Sequence, residues 1–325
     1  MKTIGIRDNI CVKKELTTCG SKILENFTAP YHAAIIDKLG ESTEIKKINI
    51  KEFGLEEDDY IKKFFEENNA DAAILTDLDG QIARNAVNGL VGLKPTFGLV
   101  SRSGVITIAP SLEQIGVISK SIEGIGEIFD VIKGYDSEDS GSVNPEGVEA
   151  FNAPVKIGYI QSHEDLNKTG LKTEQIEIQN LKYAKPTHEI IVDAEISSNL
   201  GKYDGIRYGY RTDHARTWKE VYTKTRQEGF GYASKKKMIA GTFFLDVDNM
   251  QEYYIKAAKI RTLIKRELEE IFKQVDIIAV PSDKEYTCLA NLTGRPALTI
   301  NGITLIGKHF DEENLMNVAK AMMRR

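Results

Sequence analysis

Short apolar runs alternate along this chain with longer stretches whose apolar positions recur every three or four residues. The run TIGI near residue 4 predicts a strand. The charged stretch EEDDYIKKFFEEN puts Ile61, Phe64 and Phe65 on one face, which predicts a helix, and DAAILTD (71–77) after it reads as a strand. SIEGIGEIFDVIKG (121–134) reads as a helix, with Ser121 as N-cap and Gly134 as stop signal. PVKIGYI (154–160) is a further strand. The clearest helix is EYYIKAAKIRTLIKRELEEIFKQ (252–274), where Ala257, Ile260, Leu263, Ile264, Leu268 and Ile271 fall at spacings of three and four. It leads into VDIIAVPS, a buried strand ending in Pro. DEENLMNVAKAMMRR predicts a last helix, capped by Asp311, with Leu315, Val318, Ala319 and Met322 on one face. Strands separated by helices imply an α/β fold, a mixed or parallel sheet covered by helices. No internal repeat is present. The most polar connection, GYDSEDSGSVNPEG (134–147), reads as a long surface loop within a single domain spanning 1–325, with a subdomain junction as the alternative.

Composition narrows the partners. The chain has 325 residues, 41% hydrophobic and 28% charged, with a formal net charge of -5. That balance opposes attraction to phosphate over the whole surface, and tRNA contact is not expected; SKKKM (234–238) reads as a solvated helix face. Cys11, Cys19 and Cys288 are odd in number and lack CxxC spacing, so neither a disulfide framework nor a zinc site is implied, and a reducing cytoplasm is expected. The five histidines, at 32, 163, 188, 214 and 309, have no ligand spacing, and no metal is expected. Neither a P-loop nor GxGxxG occurs, so no nucleotide or other cofactor is indicated. The N-terminus lacks the apolar core of a signal peptide, and no apolar run approaches a membrane span.

Several segments, in order, resemble one family. GLVGLKPTFGLVSRSGVITIAPSLEQIGVISKSIEGIGEIFDVIKGYDSEDS resembles the second half of the amidase signature. IGIRDNICVKKELTTCGSKILENFTAPYHAAIIDKL, YDGIRYGYR, RQEGFGYASKKKMIAGTFFL, YYIKAAKIRTLIKRELEEIF, NLTGRPALTI and LIGKHFDEENL are similar to successive parts of the A subunit of the tRNA-dependent amidotransferases. The resemblance runs from residue 3 to about residue 320. It implies a trimmed amidase-signature fold, with a central mixed β-sheet covered by helices. It also implies a Ser–cisSer–Lys triad: a Lys base in KDN, a bridging Ser in a Gly/Ser-rich loop, and a nucleophilic Ser in GGS, whose glycines supply N–H donors for the oxyanion.

This chain departs from that pattern at each point. Arg7 stands at the Lys position, and a guanidinium stays protonated and cannot serve as base. The Gly/Ser loop is absent, with no Ser between Ser42 and Ser101. Gln81 takes the nucleophile position and Asp79 that of an oxyanion-loop glycine, and no Ser, Thr or Cys lies between Asp77 and Lys94. Arg7 is expected to pair with Asp77 or Asp79; the alternative is that it binds an anion. The acid that the resemblance places a few residues before NLTG is replaced by Lys284, beside Asp283. Cys19, which the family also carries without using, reads as structural, and Lys94 as part of the wall. Asp77, Asp79, Tyr208, Tyr210 and Arg261 remain as a substrate-binding remnant able to take a small amide or anion. The expected function is that of a catalytically inactive paralogue of the amidotransferase A subunits, a binding or regulatory subunit with a protein partner or a second copy of itself. The alternative is an amidase or amidotransferase-type enzyme with an altered site. The shortened loops are expected to uncover apolar surface for the partner.

Overall fold

A computed structural model describes residues 2–56, 60–145 and 155–323. The chain forms two compact units, each woven from three separated segments: Met1–Ala70, Ser103–Ser111 and Glu189–Ala257 make the first, and Asp71–Arg102, Leu112–His188 and Ala258–Arg325 the second.

In the first unit, β1 (Lys2–Arg7) pairs in parallel with β2 (Thr43–Ile48), Lys2 opposite Thr43 and Arg7 opposite Ile48. Ile4 and Ile6, two residues apart, are fully buried on one face of β1. The helix Tyr60–Asn68 buries Ile61, Phe64 and Phe65, as its sequence predicts. The segment 103–111 is stitched to the residues after β1: Cys11 N–H donates to Gly104 O at 3.0 Å and Ile106 N–H to Asn9 O at 2.8 Å. Phe53, Tyr203 and Phe230 form an aromatic cluster with ring centroids 6.2–6.3 Å apart. Two helices, Trp218–Gly229 and Tyr232–Leu245, complete the unit; Thr217 caps the first by accepting from Glu220 N–H at 3.2 Å.

The second unit holds a mixed sheet of β3 (Ala72–Asp77), β4 (Val91–Lys94), β5 (Gln114–Ser119), β6 (Lys156–Tyr159), β7 (Lys172–Gln175), β8 (Ile277–Pro281), β9 (Ala297–Ile300) and β10 (Ile303–Gly307), in the order β3-β5-β4-β9-β10-β8-β6-β7. Neighbours from β3 to β8 are antiparallel; β8, β6 and β7 run parallel. Helices Gln81–Asn85, Ile122–Ile132, Lys284–Thr293 and Glu312–Met323 pack on it. Ser121 Oγ accepts from Gly124 N–H at 3.0 Å, the cap that its sequence predicts, a bond worth about 1 kcal/mol. Leu315, Val318, Ala319 and Met322 are buried together.

The long helix differs from its sequence pattern in two ways. Its first turn is a π-turn, Gln251–Ile255, closed by Ile255 N–H donating to Met250 O at 3.0 Å, and the α-helix proper is Lys256–Ile271. Its buried stripe is Ala257, Ile264 and Leu268; Leu263 is exposed, because one residue before Ile264 it points about 100° around the helix. The polar stretch 134–145 is a loop of the second unit, with Asp139 accepting from Arg102 N–H at 2.8 Å and Val143 N–H donating to Gly98 O at 3.0 Å. Its last two positions, 146 and 147, lie outside the described residues. Among the described residues no helix is long and apolar enough to cross a membrane.

Candidate functional site

The residues at the position of the expected nucleophile form one tight turn between β3 and the helix Gln81–Asn85. Gly80 caps that helix at φ 87°, a left-handed conformation that side chains resist, and a Cβ there would fall 2.3 Å from Thr287 Oγ1. The helix lies directly on the sheet because Gly92 opposes it: a Cβ on Gly92 would come within 2.7 Å of Ile82 Cγ2. Asp77, at the end of β3, holds the turn from below. Its Oδ1 accepts from Gly80 N–H at 2.7 Å and its Oδ2 from Ile82 N–H at 3.0 Å, while Asn291 Nδ2 donates to Oδ1 at 3.1 Å.

Gln81 does not project into space as a nucleophile would. Its side chain folds back, and Oε1 accepts from the N–H of Leu78 at 2.6 Å and of Asp79 at 3.1 Å. The two backbone donors of the turn are thereby occupied by a carboxamide oxygen of the chain itself. The Leu78 carbonyl meets the ring of the buried His188, with Nε2 at 2.8 Å. Every peptide group from Leu78 to Ile82 that these bonds involve is fixed by a neighbour within the unit.

Asp79 takes two cations. Arg84 Nη2 lies 2.9 Å from Oδ1 and its Nη1 donates to Asp79 O at 2.7 Å; Lys284 Nζ lies 2.6 Å from Oδ2. Burial pushes the Asp79 carboxyl up, but the charges of Arg84 and Lys284 outweigh it, and the group is held well below the usual carboxylate range. The sequence pointed to Arg7 as the cation for Asp77 or Asp79. Arg84 and Lys284 are cations on Asp79, and the oxygens of Asp77 accept from N–H donors. Arg7 itself, in the first unit, is buried at the end of β1, its guanidinium against Gly54, where a Cβ would fall 1.6 Å from Nη2.

Lys94 stands under the turn, fully enclosed. Its Nζ donates to Gln114 Oε1 at 3.2 Å, to Ala290 O at 3.4 Å and to Arg295 O. Burial lowers its pKa to about 8, against the attraction of Asp77 and Glu312. Asp77, Gly80, Lys94, Thr287 and Asn291 line a void of about 10 Å³, the room of one water molecule, in which Thr287 Oγ1 and Asn291 Oδ1 meet no protein partner. An amide substrate does not fit such a void.

The other residues of the expected remnant have their own partners. Arg261 Nε donates to Leu292 O at 2.7 Å, tying the long helix to the end of Lys284–Thr293. Tyr210 and Tyr208 belong to the first unit. The Tyr210 hydroxyl donates to Glu228 Oε2 at 2.5 Å with Lys22 over its ring at 4.1 Å, and Tyr208 stacks edge-on against Tyr203 at 5.8 Å. Asp77, Asp79 and Gln81 are thus brought together in one turn. Sequence reading missed Arg84, His188, Thr287 and Asn291 as members of that turn's surroundings, and for His188 no signal in the sequence announces it. Among the described residues Cys11, Cys19 and Cys288 form no disulfide, and all three are buried.

The amidase family model matches residues 69–296. Two proteins named as the A subunit of glutamyl-tRNA(Gln) amidotransferase, from Sulfurihydrogenibium sp. (strain YO3AOP1) and Geobacillus thermodenitrificans (strain NG80-2), are each 34% identical to this chain. The matches cover 97% and 98% of this chain and 81% and 82% of those proteins, so this chain is the shorter. The crystal structure of the A subunit of glutamyl-tRNA(Gln) amidotransferase from Thermotoga maritima superposes with a TM-score of 0.74 at 24% identity, over 99% of this chain and 82% of that one. A 6-aminohexanoate cyclic dimer hydrolase superposes with a TM-score of 0.78 at 13% identity, over 99% and 84%. Those two structures establish the fold. The chain therefore belongs to the amidase family, with the amidase-signature fold and a sequence similar to amidotransferase A subunits.

Proposed function

We propose that this chain is a catalytically inactive relative of the amidotransferase A subunits, acting as a binding or structural subunit. The observation that carries the reading is the double hydrogen bond from the Leu78 and Asp79 N–H groups to Gln81 Oε1. A hydrolytic site keeps such donors open for the oxyanion that develops in the transition state. Here they are filled by a group that neither leaves nor attacks. The carboxylate of Asp79 beside them also opposes a developing negative charge. A reducing cytoplasm suits three cysteines that form no disulfide among the described residues.

The partner is a protein, either a component of an amidotransferase-like complex or a second copy. Trp218, Tyr232 and Ile239 are 78%, 79% and 73% exposed, and on the helix Tyr232–Leu245 the exposed Tyr232, Ile239 and Phe243 recur at spacings of seven and four, one apolar stripe. Light scattering that returns a monomer, with nothing co-purifying, argues against the partner.

The second reading, an enzyme of altered chemistry, draws on Lys94. A buried lysine with a pKa of about 8 is able to lose its proton near neutral pH. The test is ammonia release from glutamine by purified protein, beside Arg7→Lys/Gln81→Ser and Lys94→Met variants. No release by the unmodified chain or the double variant is the expected result. Release that Lys94→Met abolishes, while the variant stays folded, overturns inactivity in favour of the second reading.

A further inference from the structure

We propose that Arg295, with Lys265 and His309, forms an anion site that takes the phosphate or carboxylate group of a small ligand. It is distinct from the Gln81 turn and does not rest on the inactivity of that turn. Arg295 is 5% exposed, and among the described residues its guanidinium makes no hydrogen bond and no ion pair; Nε is buried without a partner. Only its backbone is engaged, with N–H donating to Ala290 O at 3.1 Å and the carbonyl accepting from Lys94. The one contact its charge makes is with the face of Phe272, 4.4 Å from the ring centroid. A guanidinium offers five donors, and a buried charge is normally met by an acid. Here an aromatic face meets the charge, and the buried Nε donor is left without a partner.

Around the one acid, Glu269, the neighbourhood adds further positive charge. Lys265 and Arg261 lie one turn apart on the helix Lys256–Ile271, with Lys265 exposed. His309 sits beside the residue before Arg295: a Cβ on Gly294 would lie 3.9 Å from its Cε1. Each of these groups registers the others. The Lys265 pKa is lowered, by burial and then by Arg261 and Arg295. The imidazole of His309 falls to about 4, by burial and then by Arg295, Lys265 and Lys94. Glu269 is the one acid whose charge acts on Arg295. Cations that suppress one another's protonation all gain from a shared anion, and a guanidinium fork beside an ammonium suits the oxygens of phosphate or carboxylate. A neutral amide gains nothing there, and a cation is repelled.

The experiment uses the full chain. The His309 imidazole is followed by NMR titration, and the melting temperature is measured alongside. Inorganic phosphate, acetate and chloride are added at matched ionic strength. The expected result is that one oxyanion, at saturating concentration, raises the His309 pKa from about 4 towards its ordinary value and raises the melting temperature, and that Arg295→Leu removes both effects. Saturation by phosphate alone assigns a phosphate group; saturation by acetate as well assigns a carboxylate. Should Arg295→Leu fail to fold, Lys265→Gln on the exposed helix face is expected to weaken binding about tenfold. Oxyanion effects no larger than those of chloride, effects that survive Arg295→Leu, or an affinity unchanged by Lys265→Gln would each overturn the site.

Discussion

Lys284 Nζ lies 2.6 Å from Asp79 Oδ2, although the two residues are 205 positions apart. At both positions the resemblance leads one to expect another residue, a glycine at 79 and an acid at 284. Their charges compensate one another, and Arg84 completes the arrangement from the next turn of chain. Lys284→Glu sets two carboxylates face to face and is expected to destabilise the protein by about 1–2 kcal/mol. Adding Asp79→Gly should recover most of that loss, since it removes the clashing charge. A double-mutant cycle read by urea denaturation checks the coupling; additive effects would mean that the pair contributes nothing.

The Gln81 carboxamide is expected to be removable. Gln81→Ala frees the Leu78 and Asp79 N–H groups, so their amide exchange should accelerate while the amides of β3 stay protected. The stability loss should be about 1–2 kcal/mol, the range for two partly buried hydrogen bonds. Exchange rates at Leu78 and Asp79 that match the unmodified chain would mean that other acceptors hold them.

Two groups near the last helix should tilt stability with pH in opposite directions. Asp311 is raised to about 6, chiefly by burial, so its contribution is full below the ordinary carboxylate pKa and is lost as pH rises through about 6. His309 is lowered to about 4, so its contribution is full above the ordinary imidazole value near 6.5 and is lost as pH falls through about 4. Between those limits the two partly cancel. Asp311→Asn removes the falling limb, and its melting temperature should climb more steeply with pH from about 4 to about 6 than that of the unmodified protein. His309→Gln should do the reverse. Melting curves across that range decide it, and equal slopes in all three proteins would refute the assignment.

Gly92 sets how closely the helix Gln81–Asn85 approaches the sheet. Gly92→Ala brings a methyl within 2.7 Å of Ile82 Cγ2 and should cost about 1–3 kcal/mol by overpacking. Ile82→Ala in the same chain makes room, so the double variant should lose less than the sum of the single losses. Calorimetry of the three variants tests this.

Much of the fold is legible in the sequence because its signals are local. The runs around Ile4 and Ile74, the face of Ile61, Phe64 and Phe65, and the Ser121 cap need only neighbours within a few residues. The resemblance also picks out Arg7, Asp79, Gln81 and Lys284 one by one. What it leaves unread is the partnering. Of the cations that meet Asp79, Arg84 follows it by five residues and Lys284 comes from a helix packed near β8, and no spacing in the sequence announces either. Whether Gln81 points outward or folds onto its own turn depends on a side-chain torsion that sequence spacing does not encode. His188 meets Leu78 across 110 positions, with no pattern to announce it.

The woven layout of the two units has a consequence for how the chain is made. β4 pairs with β5 soon after both leave the ribosome, but its other edge pairs with β9, some two hundred residues later. Until residue 297 emerges, the growing chain therefore holds a half-built sheet with an open edge at Gly92–Lys94, the buried Leu93 at its centre. Long-range closure of this kind is slow, and open strand edges invite aggregation. Neither unit can be cut out as one continuous stretch, since each is assembled from three. Production of this protein in a foreign host is therefore expected to depend on slow synthesis and on chaperones that cover nascent β-strands, and shortened versions ending before β9 should go to inclusion bodies.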